Sequence, residues 1–549
     1  MFTKGIPVKR SRIGLSLIAM AAASALVLTG CSSSGGDNKG GDAKGDSAAI
    51  ITVNGSEPES GLIPSDTNEV GGGRILDIMY AGLYYYDAKG NPKLDVAESV
   101  DTTDSKVYTI KLKADQKFTN GDPVDAESFV NAWNDAAKFS NARKNASWFS
   151  NIEGFDDTKD AELTGLKVVD DTTFTVTLKS AQSDFPLQLG YSSFYPVPKS
   201  AFDADGNITK DYGQNPIGNG PYKVADKGWT HKVKIEMVKN DEYKGDREAK
   251  NGGLSIVFYD SYDAAYADLL GGNLDVLDQI PDTAYANYKD DLGDRWINQP
   301  AAIFQSFTIP ERLDHFAGEE GQLRREAISR AINRPQITDK IFSDTRTPAV
   351  DWSSPVINGF SDSLKGKDVL TYDAKKAKEL WAKADAISPW TGKFQIAYNA
   401  DGGHQAWVDA VSNDLKNNLG IDASGAPNPL FGDFRQTITD RSIQTAFRSG
   451  WQGDYPGLSN FLLPLYKTGA SSNDGDYSSA EVDKLLEEGV AAKDVEAANE
   501  KFHAAEEILF KDLPAIPLWY QNAVSGYSEA VSNVTIGWNS VPLYYEITK

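Results

Sequence analysis

The sequence Phe118-Thr-Asn-Gly-Asp-Pro-Val-Asp-Ala-Glu-Ser-Phe-Val-Asn-Ala-Trp133 joins a turn to the beginning of a helix. Asp125 can cap that helix, because its carboxylate can accept hydrogen bonds from the first backbone N–H groups. Residues 128–137 then continue it, with Phe129 and Trp133 on one face. The stretch predicts an amphipathic helix that begins near residue 125.

The segments around this helix mix strands and further helices. Strands are predicted where apolar and polar residues alternate, at residues 49–53, 84–92 (interrupted by a Gly/Asn turn), 107–112 and 174–178. Helices are predicted at residues 74–83, 374–384, 405–419, 480–490 and 495–510. The two element types do not alternate strictly, and no repeat of 20–50 residues is present. This pattern predicts an α/β fold with several lobes.

The N-terminus has the layout of an export signal. Residues 1–30 carry four basic residues and no acidic one, and residues 13–28 are apolar. The positive end of such a signal stays in the cytoplasm. The apolar run is too short for a hydrocarbon core of about 30 Å, so a permanent membrane span is not expected.

The apolar run ends in Leu28-Thr29-Gly30-Cys31, which resembles the lipobox of bacterial lipoproteins. The resemblance implies that Cys31, the only cysteine, receives a diacylglyceryl group and becomes the new N-terminus. The alternative is a chance thiol. Residues 31–47 are rich in Gly, Ser and Asp and predict a flexible linker. The mature protein is therefore expected on the outer face of the cell membrane, held by lipid chains.

The charge of the chain excludes some partners. The net charge is −23, and removal of the four basic residues of the signal brings it to about −27. So acidic a protein is not expected to bind nucleic acid or to lie on anionic lipid. With Cys31 modified, no disulfide can form, and the 549 residues are enough for more than one lobe.

Catalytic and metal-binding patterns are missing from the sequence. There is no phosphate-binding Gly-Lys-Ser/Thr loop, no His-Glu-x-x-His pair and no Gly-x-Ser-x-Gly elbow. The four histidines are scattered, without the spacing of metal ligands, at His231, His315, His404 and His503. The sequence therefore predicts neither an enzyme nor a bound metal or cofactor.

Four separated blocks resemble the peptide-type solute-binding proteins of ABC importers, family 5. They occur in the family's order, at residues 79–99, 108–133, 216–276 and 323–334 with 513–520. The resemblance extends from about residue 50 to the C-terminus. It implies a bilobal, type II periplasmic-binding-protein-like clamp with an extra domain inserted in the first lobe.

The family template also implies the domain boundaries. Residues 48–80, 196–300 and 516–549 are expected to form the first lobe. Residues 81–195 are expected to form the inserted domain, and residues 301–515 the second lobe. The chain would cross between the lobes near residues 300 and 515, and these crossings would be the hinge that closes the clamp.

The stretch Phe447-Arg-Ser-Gly-Trp-Gln-Gly-Asp-Tyr455 resembles a segment that lies along the cleft of oligopeptide-binding proteins. The resemblance implies that Asp454 pairs with the α-ammonium group of a peptide, which would otherwise be unpaired in a dry cleft. The alternative is an aspartate that caps the turn before Pro456. Many family members have two or three residues between Asp-Tyr and the proline, whereas Pro456 follows Tyr455 directly. The loop shape and the ligand length are therefore open.

Other residues of this stretch have implied roles. Arg448 matches an arginine that meets the ligand's carboxylate, and the alternative is a structural ion pair. Gly450 would offer backbone groups to an extended peptide. Trp451 would wall a side-chain pocket or belong to the core. Phe304 and Asn68 are expected to line the cleft from their positions alone.

The expected function is that of a monomeric, non-catalytic receptor that delivers peptides to ABC permease subunits. An oligosaccharide receptor of the same fold is the main alternative, since 11% of the residues are aromatic. Nickel or haem binding is disfavoured by the scarcity of histidine. An exported hydrolase or a chaperone would be a function of a different class. No nucleophile–base arrangement supports the hydrolase.

Overall fold

The computed structural model describes residues 46–58, 61–259, 261–400, 403–429 and 431–549. The predicted signal peptide, Cys31 and most of the predicted linker lie outside these residues. The strands are β1 Ile50–Gly55, β2 Tyr84–Tyr86, β3 Pro92–Leu94, β4 Ala97–Thr102, β5 Val107–Leu112, β6 Leu166–Asp170, β7 Thr173–Thr177, β8 Tyr222–Thr230, β9 Lys234–Lys239, β10 Gly253–Phe258, β11 Val276–Leu277, β12 Trp296–Thr308, β13 Arg346–Pro348, β14 Lys393–Asn399, β15 Asp422–Asn428, β16 Ala446–Gln452 and β17 Ala515–Tyr527. The helices are α1 Val70–Met79, α2 Ala126–Ala137, α3 Phe185–Gln188, α4 Tyr262–Leu270, α5 Tyr288–Leu292, α6 Gly318–Ala331, α7 Arg334–Lys340, α8 Ala374–Ile387, α9 Gln405–Leu419, α10 Phe431–Thr439, α11 Leu458–Tyr466, α12 Ala480–Val490 and α13 Val495–Asp512.

A mixed sheet of eleven strands forms the backbone of the fold. Its order is β15-β14-β16-β12-β17-β11-β1-β10-β9-β8, and β13 pairs with β17. The half that contains β1 and β8–β11 packs on two sets of buried side chains. The half that contains β14–β16 packs on another, larger set that belongs to residues 302–538. The two halves of the sheet therefore pack on separate hydrophobic cores.

The two long strands β12 and β17 join the halves of this sheet. Trp296 pairs with Gly526 at one end, and Thr308 pairs with Ala515 at the other. The register shifts between Pro300 and Phe304, opposite residues 520–522. Such an irregularity interrupts the ladder and lets the strands bend. The predicted crossing near residue 300 lies beside this shift. The other predicted crossing, near residue 515, lies at the beginning of β17. The lobe boundaries stay predictions.

A second sheet carries the opening sequence stretch. Its order is β4-β5-β7-β6, and α2 packs against it over a separate core that includes Phe129 and Trp133. Asp125 caps α2 as predicted, because its carboxylate accepts a hydrogen bond from the N–H of Ser128 at 2.9 Å. The helix and the two strands predicted around it are confirmed.

Helix α1 differs from its prediction of residues 74–83. It begins at Val70, because the carboxylate of Glu69 accepts a hydrogen bond from the N–H of Gly72 and compensates for the poor helix propensity of the glycine run. It ends at Met79, where the chain becomes extended. Beyond it, the side-chain amide of Asn219 hydrogen-bonds to both backbone groups of Ala81, at 2.9 and 3.0 Å. A contact from a distant loop thus replaces the last predicted turn.

Two buried carboxyl groups, of Asp351 and Glu506, interact in the core of the β14–β16 half. Both residues have 0% exposure. Burial raises the pKa of each, and the neighbouring carboxyl raises the pKa of Glu506 further. The neutral form of at least one of the two carboxyls is therefore favoured in the folded protein.

This pair predicts a loss of stability at higher pH. An unfolded glutamate ionises near pH 4.5, whereas the folded pair keeps its proton to higher pH, so stability falls as the pH rises above that value. In Glu506→Gln, a neutral amide replaces the buried carboxyl beside Asp351, and the urea midpoint should stay higher than in the wild type at pH 8. The matched control is Glu500→Gln, an exposed position of the same helix. A variant that is less stable than wild type at both pH 5 and pH 8 would contradict this account.

Candidate ligand-binding cleft

Strand β16 passes through a cleft that contains three adjoining cavities. Cavity A, of about 290 Å³, includes Asn68 and Asp454 in its lining. Cavity B, of about 440 Å³, lies against β17 and includes Arg74 and Asp278. Cavity C, of about 140 Å³, includes Trp407 and Trp519. Gln452 lines all three, so the last residue of β16 stands at their junction.

One edge of β16 is unpaired along most of this cleft. Its other edge pairs with β12 from residue 447 to residue 452, but β14 pairs with it only at Ala446 and Phe447. The N–H of Gly453 donates to the C=O of Ala302 on the β12 side at 2.8 Å. Because backbone groups alternate along a strand, those of Gly450 and Gln452 must face the opposite, open edge. No described residue hydrogen-bonds to them there.

Asp454 follows this edge directly and lies in cavity A. Burial raises the pKa of its carboxyl, and a hydrogen bond from Nδ2 of Asn460 at 3.0 Å acts against that rise. Among the described residues no lysine, arginine or histidine forms an ion pair with it. The N–H of Gly457, beyond Pro456, donates to the C=O of Tyr455 at 2.9 Å rather than to the aspartate. The carboxylate therefore faces a cavity and has no described counter-ion.

The surroundings of Asp454 are acidic. Glu69 and Asp77 also line cavity A, together with a single guanidinium, that of Arg74. That guanidinium is already paired with Asp278 at 2.5 Å. Tyr191 lines cavity A as well, and burial, then the charge of Asp454, raises the pKa of its phenol. Cavity A is thus suited to a cationic group.

The other predicted residues of β16 have distinct surroundings. Nε of Arg448 donates to Oδ1 of Asn399 at 2.9 Å, and its guanidinium lies over the ring of Phe434. Trp451 is half-buried and lines cavity C, so it both packs on the core and faces the cleft. Gly450 approaches β12 closely, since a Cβ there would lie 2.9 Å from the C=O of Phe304.

Phe304 and Asn68 occupy different environments. Asn68 lines cavity A together with Asp454. Phe304 is fully buried in the core, although its residue borders cavity C. Its side chain is therefore not accessible to a ligand in this conformation.

Sequence reasoning missed Asn460, which contacts both Trp451 and Asp454. Oδ1 of Asn460 accepts hydrogen bonds from Nε1 of Trp451 at 3.1 Å and from the N–H of Asp454 at 2.9 Å. The residue lies in the first turn of α11, within the loop whose shape the early Pro456 left open. The available signal was a pair of polar residues, Ser459 and Asn460, at the start of a mostly apolar helix. Sequence reasoning also missed Gln452 and Tyr191, which line cavity A.

Neither a metal site nor a membrane span is found in the part of the chain that the structure describes. No group of three or more His, Cys, Asp or Glu side chains there is placed to hold a metal ion. No helix there is long and apolar enough to cross a membrane.

Comparison with known proteins shows which family this chain belongs to. The family described as bacterial extracellular solute-binding proteins, family 5 (middle), matches residues 91–473. This chain belongs to that family. The oligopeptide-binding protein OppA of Bacillus subtilis is 26% identical, over 92% of this chain and 94% of OppA.

Two solved structures show the same fold. The murein tripeptide-binding protein MppA in its unliganded open form has a TM-score of 0.80 at 22% identity, over 92% of this chain and 98% of MppA. OppA of Haemophilus influenzae, in complex with the peptide RPPGFSPFR, has a TM-score of 0.67 at 24% identity, over 92% and 99% of the two chains. The bilobal type II fold predicted from the sequence is confirmed.

Proposed function

We propose that this protein is the extracytoplasmic receptor of an ABC importer, which captures peptides in the cleft and delivers them to permease subunits. The observation that carries the proposal is the open edge of β16, which leads directly to the carboxylate of Asp454. The relatives named above as oligopeptide-binding proteins support the same ligand class.

The open edge accounts for the peptide backbone. The N–H and C=O groups of Gly450 and Gln452 can pair with an extended peptide that adds to the sheet as another strand. This pairing does not depend on side-chain identity, so the receptor would accept many sequences. Successive side chains would point to opposite faces of the added strand, and Trp451 would wall the pocket on one face.

Asp454 accounts for the N-terminus of the peptide. An ammonium group in a dry cleft needs a counter-charge, and the acidic lining of cavity A supports a cation at this end. Arg448, toward the other end of the open edge, would meet the ligand's carboxylate with its planar guanidinium. Asn68 would contact the ligand in cavity A, and Phe304 would contribute only backbone.

The remaining parts of the proposal concern the whole protein. It would act as a monomer without catalysis, and a turnover assay with peptides that gave products would overturn that part. Lipid chains on Cys31 would hold it at the outer face of the cell membrane. The predicted linker would let the receptor reach its permease.

An oligosaccharide is the second candidate ligand. The rings of Trp407 and Trp519 meet edge to face at 5.6 Å in the lining of cavity C, and aromatic walls suit sugar rings. A neutral sugar has no positive charge to meet the acidic cavity A and no peptide backbone to pair with the open strand edge. We therefore place peptides first.

A mixed peptide library is expected to raise the melting temperature of the ligand-free protein. A ligand that binds only the folded state stabilises it by about 2.7 kcal/mol at a concentration of 100 times Kd. The same library with acetylated N-termini should give a smaller rise. A rise with oligosaccharides and none with peptides would refute the proposed ligand class.

A further inference from the structure

Asn460 makes three hydrogen bonds that converge on the proposed ligand site. Its Oδ1 accepts from Nε1 of Trp451 at 3.1 Å and from the N–H of Asp454 at 2.9 Å. Its Nδ2 donates to Oδ2 of Asp454 at 3.0 Å. The side chain of Asn460 is buried, with 6% exposure. Both ends of its amide, Oδ1 and Nδ2, form hydrogen bonds with residues of the site.

The chemistry of these bonds requires an amide. One end must accept two hydrogen bonds and the other must donate one to a carboxylate. A leucine of similar size would leave the indole N–H and one carboxylate oxygen without these partners. An aspartate would place a second carboxylate against the first.

The helix that carries Asn460 is anchored from outside the site. The hydroxyl groups of Tyr455 and of Ser459, the residue before Asn460, both donate to Oδ2 of Asp184 in the predicted inserted domain, the former at 3.0 Å. The edge of Trp148 packs on the ring of Tyr455 at 5.9 Å. The start of α11 is therefore held by contacts within the protein, and the groups that it orients are preorganised.

We infer that Asn460 is a positioning residue of the binding site, which fixes the carboxylate of Asp454 and the indole of Trp451 in a single register. This inference rests on the proposed function, because the ammonium is the group that the oriented carboxylate would bind. Asn460 links the carboxylate of cavity A to an aromatic wall of cavity C. It thereby sets the offset between the N-terminus of a peptide and its first side-chain pocket.

The test is the preference for a free N-terminus, measured as the ratio of Kd for an acetylated peptide to Kd for the same peptide with a free amine. Because both values come from one protein sample, a partly unfolded fraction cancels. In Asn460→Leu this ratio should fall about 10- to 100-fold, since a hydrogen bond that orients a charged group is lost. If that variant does not fold, Asn460→Ser carries the same expectation.

A pH profile separates positioning from mere packing. The bond from Asn460 lowers the pKa of Asp454, so its loss should move the acidic limit of binding to free-amine peptides to higher pH. The other titratable or charged groups that line cavity A are unchanged in the variant; they are Glu69, Arg74, Asp77, Tyr86, Tyr191 and Tyr195. A midpoint that does not move would overturn the inference.

The matched control is Asn251→Leu. Asn251 has 0% exposure and makes three hydrogen bonds, with the Tyr222 hydroxyl and the C=O groups of Tyr544 and Ile547, outside the three cavities. This variant should lower the melting temperature and leave the Kd ratio unchanged. If Asp454→Asn abolishes the preference but Asn460→Leu keeps it, this inference alone fails. If the wild type shows no preference, the proposed function fails.

Discussion

Replacing Asp454 by asparagine is expected to weaken the binding of peptides with a free N-terminus by about 2–5 kcal/mol, or roughly 30-fold or more. The change removes the only charge proposed to pair directly with the ammonium, while Glu69, Asp77 and Arg74 remain in the lining of cavity A. Asparagine has nearly the same shape, so the fold should be retained. Isothermal titration calorimetry with one peptide measures the change directly.

The control for this prediction is the same peptide with an acetylated N-terminus, which both proteins should bind with similar affinity. Asp314→Asn, at an exposed position of the predicted second lobe, removes a charge outside the cleft and should change neither affinity. Equal losses for the free and the acetylated peptide would remove Asp454 from the proposed role.

The affinity should also depend on pH in a defined direction. The ammonium needs the charged carboxylate, and burial holds the pKa of Asp454 above the ordinary value of 3.8. Binding of free-amine peptides should therefore decline, on acidification, at a higher pH than an ordinary aspartate would give. The acetylated peptide should show no such decline.

The second large effect is expected from Gln452→Pro, which removes the backbone N–H proposed to pair with the ligand. A peptide C=O left without its partner costs about 1–3 kcal/mol, or roughly 5- to 150-fold in Kd. Because this N–H faces the open edge, proline removes no ladder bond to β12. Free and acetylated peptides should be affected alike.

Gln452→Ala is the matched control for the proline variant, since it removes the exposed side chain and keeps the N–H. It should bind peptides nearly as the wild type does. If the alanine variant loses as much affinity as the proline variant, the side chain matters and the strand-addition account is wrong. Near-equal melting temperatures would establish that both variants are folded.

Local sequence patterns were enough for several elements of the fold. Helix α9 has its predicted bounds, because its apolar face is periodic and Gly420 ends it in the left-handed conformation. Helix α1 was misplaced, because a glycine run hides a start that Glu69 caps and because a distant loop ends it. The end of α1 is set by a contact between segments that are far apart in sequence, which local patterns do not reveal.

Most of the predictable part of the site belongs to a motif, and Asn68 was expected from its position alone. The stretch that contains Asp454 resembles a known segment, and the structure brings that residue together with Asn68 in cavity A. Asn460 could not be found, since its role arises from the turn that folds α11 back onto β16. Phe304 was expected at the cleft from its position alone; it borders cavity C, but its side chain is fully buried in the core.

Native mass spectrometry of the ligand-free protein, in an equimolar mixture of tri- to hexapeptides and oligosaccharides of similar mass, tests the central claim most directly. Each bound ligand adds its own mass, so peptides and sugars compete in one sample. The account predicts complexes with peptides only. These complexes should be lost when acetylated peptides are offered to a protein that carries both Asp454→Asn and Gln452→Pro. Complexes with oligosaccharides, and none with peptides, would contradict it.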